Sequence, residues 1–105
     1  MKQFSRKSQD CIRYYILDEK GLSLHYHREN GPAIEYISGP RKGRKEYYKD
    51  GYLHRLDGPA IDDANDMSQY WINDCQLPVN EYWNVVQKLN DNKSLDYVNG
   101  KFVWK

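Results

Sequence analysis

The sequence predicts a mainly β domain: an antiparallel meander of two to three short hairpin repeats, one capping helix and a C-terminal hairpin. Two observations predict it. First, His27-Arg28-Glu29-Asn30-Gly31-Pro32-Ala33-Ile34 returns 27 residues later as His54-Arg55-Leu56-Asp57-Gly58-Pro59-Ala60-Ile61, with six of eight positions identical. Self-similarity this dense marks a repeated packing unit, because each copy solves the same folding problem. Second, beyond Leu77 the apolar residues change from strand alternation to helical spacing. At 105 residues the chain fits one domain, 1–105, with a single modest core.

Residues 1–12 form an N-terminal segment and residues 13–77 the β-repeat region. Within it, Glu46-Tyr47-Tyr48-Lys49-Asp50-Gly51-Tyr52-Leu53 precedes His54, and a longer version, Arg13-Tyr14-Tyr15 through Gly21-Leu22, precedes His27. Gln69-Tyr70-Trp71-Ile72-Asn73-Asp74-Cys75-Gln76-Leu77 repeats the first half a third time. Tyr47-Tyr48 and Tyr70-Trp71 are strand formers that cover a pleated face. Asp50-Gly51 and Asn73-Asp74 are pairs able to adopt positive φ, the usual short hairpin connection. Leu53 and Leu77 then start return strands. Asn30-Gly31-Pro32 and Asp57-Gly58-Pro59 interrupt the ladder, since proline lacks an N–H and restricts the residue before it. Ala33-Ile34 and Ala60-Ile61 resume a strand, with alanine where a large side chain would not fit.

Tyr82, Val85, Val86 and Leu89 fall at i, i+3, i+4 and i+7, one helical face. They predict a capping helix over about Asn80–Leu89 within residues 78–90, with Asn80 as N-cap and Glu81 where the dipole favours an acid. The helix is placed to cover the open end of a short repeat sheet. Residues 91–105 read as a hairpin about Asn99-Gly100.

Ten Tyr, three Trp and two Phe supply the apolar faces that disordered chains lack. No apolar run approaches a membrane span, and the N-terminus lacks the apolar stretch of a signal peptide, so a cytoplasmic location without a membrane is expected. Cys11 and Cys75 lack metal-ligand spacing and are expected as free thiols. The net charge of +1 conceals an asymmetry. Residues 1–55 carry twelve Lys and Arg against seven Asp and Glu, and residues 56–105 carry four against eight. Opposite fields of this kind can steer a partner or pair two copies.

His54-Arg55-x-Asp57-Gly58-Pro59-Ala60, preceded by Tyr47-Tyr48-x-x-Gly51-x-Leu53 and followed by Tyr70-Trp71-x-Asn73-x-x-x-Leu77, resembles MORN-like hairpin repeats of phage and large-virus proteins. The resemblance spans residues 47–83 closely and residues 13–36 more loosely, with Leu77 through Trp83 similar to the helix that follows a final repeat. Leu56 stands at a usually polar position, and Asp74-Cys75 stand where Gly-Lys is typical. The resemblance implies a twisted β-meander used as an interaction platform, without enzymatic chemistry. It also implies a viral source and a host factor as the protein partner, bound and inhibited.

Arg41, Lys42, Arg44 and Lys45 place four basic residues in five positions on an apparent loop. Arginine offers bidentate contacts to phosphate, and Tyr47, Tyr48 and Tyr52 downstream could stack bases. Arg41, Lys42, Arg44, Lys45, Tyr48, Tyr52 and Arg55 form the candidate binding set for a protein partner, or for a nucleic acid or phosphorylated ligand as the alternative. The same run also suits a solvated loop. His25, His27 and His54 could form a three-histidine metal site, but His27 and His54 are repeat equivalents. A structural role is therefore expected, a hydrogen bond to the Gly-Pro turn, with no metal and no cofactor. Asp62-Asp63-Ala64-Asn65-Asp66 is an acidic loop without the glycine and glutamate of a calcium loop. No nucleophile elbow, phosphate-binding glycine loop or paired carboxylates appear, so an enzyme is not expected. The informative positions are those where the copies differ: the Arg41–Lys45 insertion, Leu56 and the incomplete third unit.

Overall fold

The computed structural model describes residues 2–63, 68–90, 95–98 and 101–104, the last two segments as backbone. The N-terminal segment contributes a strand that the sequence pattern does not announce. This strand, β1 (Phe4–Lys7), lies antiparallel to β2 (Cys11–Leu17), with Phe4 opposite Tyr15. The two rings stack 5.5 Å apart, so an aromatic pair secures the sheet edge.

Each repeat splits its strand at the first tyrosine. The far end of β2 pairs with β3 (Leu24–Tyr26), and its near end pairs with β4 (Ile34–Tyr36). Tyr14, between the two halves, donates its N–H to Ala33 O at 2.7 Å and accepts His27 N–H at 3.1 Å. The second unit repeats this geometry. There β5 (Lys45–Glu46) pairs with β4 and with β8 (Ile61–Asp62), while β6 (Tyr48–Lys49) pairs with β7 (Tyr52–Leu53). Tyr47 at the split donates to Ala60 O at 2.7 Å and accepts from His54 N–H at 3.0 Å. The third unit keeps its hairpin, β9 (Tyr70–Ile72) with β10 (Cys75–Leu77), and one antiparallel bridge, Gln69 with Ile61 of the second unit. The architecture is mainly β and antiparallel, with a shared sheet ordered β1-β2-β4-β5-β8, β3 added on β2, and small hairpins leaving it.

The turn pairs read from the sequence adopt the predicted backbone. Asp50 and Gly51 have φ of 52° and 85°, and Asn73 and Asp74 have 47° and 65°. Two successive positive φ values match the right-handed twist of the flanking strands. Ala33 and Ala60 are completely buried, and Cys11, Ile16, Ile34 and Ile61 are buried as well.

Both ends of the repeat array are closed by side chains. Tyr48 O accepts Arg28 N–H at 3.3 Å and Trp71 O accepts Arg55 N–H at 3.2 Å, one bond from each unit to the next. Tyr15 is the equivalent acceptor of the first unit, and there the Gln3 side chain substitutes, donating to Tyr15 O at 3.0 Å and His27 O at 2.8 Å. At the other end stands helix α1 (Val79–Asn90). It starts one residue before the predicted Asn80 cap, and Tyr82 N–H bonds Pro78 O at 2.9 Å. Proline is tolerated at this entry because the N–H that it lacks would find no intrahelical partner there. Tyr82, Val85 and Val86 are buried against Ile72 and Leu77, with Tyr70, Cys75 and Leu89 at the margin. Each buried side chain contributes about 1.5–3 kcal/mol before entropy, so the helix is an end cap in energy as well as position. Strands β11 (Leu95–Val98) and β12 (Lys101–Trp104) pair as the C-terminal hairpin, while the Asn99-Gly100 turn itself lies outside the described residues.

Candidate binding cleft

The two histidines of the repeat bind forward along the array. His27 is buried, and its Nδ1 accepts the N–H of Asp50 at 2.9 Å while Nε2 donates to Glu29 Oε1 at 2.8 Å. His54 Nδ1 accepts the N–H of Asn73 at 3.2 Å. The partner is thus the hairpin turn of the following unit, not the histidine's own Gly-Pro turn as the sequence suggested. A local pattern shows that a turn exists but not which turn is adjacent. With each Nδ1 lone pair occupied by an amide, these imidazoles are structural acceptors. Among the described residues no group of three or more His, Cys, Asp or Glu is arranged to hold a metal. Cys11 is buried with Sγ 3.3 Å from Ser8 Oγ, Cys75 is half-buried, and both are free thiols.

The arginines are also built into the repeat. Arg28 lies 4.0 Å over the Tyr14 ring and Arg55 lies 4.0 Å over Tyr47. Each Nη1 donates to a proline carbonyl, Arg28 to Pro32 O at 3.3 Å and Arg55 to Pro59 O at 3.0 Å. A Cβ on Gly58 would come 2.9 Å from Arg55 Cζ, so the glycine is there to admit the guanidinium. Arg55 Nε further donates to Asp57 Oδ1 at 2.9 Å.

The seven predicted binding residues divide into separate places. Arg41 lies 5.8 Å over Tyr36 and, with Pro40, Asp10 and Ser38, borders a hollow at the tip of the β4–β5 loop. Lys42 is exposed in that loop, and Lys45 lies within β5. Arg44 turns inward, its Nε 2.9 Å from Glu46 Oε2 and Nη1 3.4 Å from Asp63 Oδ2. Glu46 is buried and accepts the Tyr48 hydroxyl at 3.1 Å; the burial of Tyr48 itself first, and the Glu46 carboxylate second, push the phenol well above its usual range. Tyr52 is half-exposed on β7. Tyr48 and Arg55, unlike Arg41, line a cleft of about 480 Å³ between the loops that follow His27 and His54. Of the acidic loop, Asp62 and Asp63 are described and the rest lies outside the described residues.

Sequence reasoning missed the other wall of this cleft: Arg28, Glu29, Asn30 and Lys49. The available signal was the duplicated octapeptide itself, because Arg28 occupies the place of Arg55. Leu56, 40% exposed, also borders the cleft at the position held in the first copy by Glu29. On the adjoining helix Val79 and Trp83 are exposed on one face, four residues apart. Tyr82 anchors this helix to the second loop, its hydroxyl bonded to Arg55 O and, at 2.8 Å, to Gly58 O.

No family model matches the chain, and neither a curated protein nor a solved structure matches it. Among the described residues no helix is long and apolar enough to cross a membrane.

Proposed function

We propose that this protein is a non-enzymatic protein-binding module whose docking face is built around Leu56 and the cleft between the two His-Arg loops. One observation carries this reading. In a duplicated loop whose histidine, arginine and glycine are spent on architecture, Leu56 replaces a glutamate and remains exposed. Val79 and Trp83 add apolar surface on the helix anchored to that loop. An exposed leucine on the border of a cleft favours a protein contact over a polyanion. The engagement of Arg44 with Glu46 and Asp63 supports the same preference, since it removes one charge from the basic loop. By the resemblance to repeat proteins of phages and large viruses, the partner is a host factor met in the cytoplasm, and binding inhibits it.

A photo-crosslinking residue at Leu56 tests the proposal in cells that express the protein. A discrete protein adduct is expected from Leu56 and none from the exposed control Lys20, and Trp83→Asp should diminish the adduct without changing the circular dichroism. Adducts only to nucleic acid, or equal adducts from both positions, would overturn the reading.

A further inference from the structure

The two copies of the loop act as an internal comparison. Arg28 and Arg55 share the tyrosine beneath, the proline carbonyl accepted by Nη1 and the glycine beside the guanidinium. They differ in what meets Nε. Asp57 supplies a carboxylate to Arg55 at 2.9 Å. The same position of the first copy is Asn30, which carries no charge. The other acid of that loop, Glu29, is bonded to His27 Nε2 at 2.8 Å. Among the described residues no carboxylate lies within ion-pair distance of Arg28.

Arg28 is therefore a guanidinium fixed in position, open to the cleft and, among the described residues, without the counter-charge that its twin possesses. Fixing matters because an arginine already stacked and hydrogen-bonded loses little further freedom on taking a ligand. Among the described residues the charges bordering the cleft are Arg28, Lys49 and Arg55 against Glu29 and Asp57, an excess of one positive charge. A single carboxylate balances that excess, whereas a phosphate monoester with about two negative charges exceeds it. Leu56 supplies an apolar neighbour on the same cleft.

Resting on the protein-binding reading above, we infer that Arg28 receives a carboxylate side chain of the partner, an Asp or Glu beside an aliphatic residue, as Arg55 receives Asp57. The Asn30/Asp57 difference keeps the first copy open and the second closed by the chain itself.

The probe is a pair of short peptides, acetyl-Leu-Glu-amide and acetyl-Leu-Gln-amide, titrated into the full chain and followed by nitrogen–proton NMR. The Glu peptide is expected to shift the Arg28 Nε–H and Gly31 N–H resonances and to leave the Arg55 Nε–H in place. Asn30→Asp should supply the missing carboxylate internally and weaken binding about tenfold or more, the scale of one charge-assisted contact. Asp57→Asn should open a second equivalent site at Arg55. Equal shifts from the Gln peptide, undiminished binding by Asn30→Asp, or tighter binding of inorganic phosphate than of the Glu peptide would each overturn the inference. A protein adduct at Leu56 with an unresponsive Arg28 removes the carboxylate site alone and leaves the protein-binding reading intact. Loss of the Leu56 adduct removes that reading as well.

Discussion

The imidazole Nδ1 of His27 accepts the backbone N–H of Asp50 across 23 positions of sequence, at 2.9 Å. The same bond joins His54 to Asn73 across 19 positions, at 3.2 Å. Each histidine therefore fastens the tip of the next hairpin to the unit before it. In a repeat array, where stability is a sum of units and interfaces, these bonds belong to the interfaces.

Removing the buried member should cost most. His27→Ala strands the Asp50 N–H and leaves a void, and should destabilise the fold by about 2–3 kcal/mol. His54→Ala, at a less buried site, should cost about 1 kcal/mol. Urea unfolding midpoints measure both, and an unchanged midpoint in His27→Ala would show that the clamp carries no stability.

Acid should loosen the second clamp. Burial first, and the Lys49 ammonium second, hold His54 below its usual value near 6.5. The unfolded chain therefore takes up its proton at a higher pH than the folded one does, and stability falls as the solution is acidified. The contribution is complete above about pH 6.5 and declines below it, until the folded imidazole is also protonated and can no longer accept from Asn73. The unfolding midpoint should drop more between about pH 7.5 and about pH 5.5 in the wild type than in His54→Gln. Parallel pH profiles would refute the assignment.

The helix cap should depend on one hydroxyl. Tyr82→Phe keeps the buried ring but removes the bonds to Arg55 O and Gly58 O, and should cost about 1–2 kcal/mol. Amide hydrogen exchange of residues 55–58 should rise with it. Unchanged exchange would mean that the ring packing alone holds the helix in place.

The basic loop should separate into structural and surface charges. Arg44→Ala leaves Glu46, only 8% exposed, without its cation and should destabilise by about 1–3 kcal/mol. Arg41→Ala should stay within about half a kcal/mol of the wild type. Thermal melts of the two variants decide the matter, and equal melting temperatures would place both charges on the surface.

Much of this fold is legible in the chain. The duplicated octapeptide, the two positive-φ turn pairs and the stripe Tyr82, Val85, Val86 and Leu89 depend on local backbone preference and on periodicity, which a sequence displays directly. The candidate site is less legible. Arg44 reads as a phosphate-gripping cation, yet it faces Glu46 and Asp63, 2 and 19 positions away. Arg28 reads as one half of a repeated motif, and the meaning of Asn30 emerges only once Asp57 is seen on Arg55.

By itself, then, the sequence determined the repeat, its turns and its capping helix. Tertiary structure decided that Gln3 closes one end, that β1 lines the edge, that the histidines reach forward and that Arg55 receives Asp57 while Arg28 has no carboxylate among the described residues. The physical reason is the range of the interactions. Backbone conformation follows from neighbours in sequence, whereas the partner of a polar side chain follows from strand register between distant segments. A polar group takes whichever complementary group that register brings within hydrogen-bonding distance.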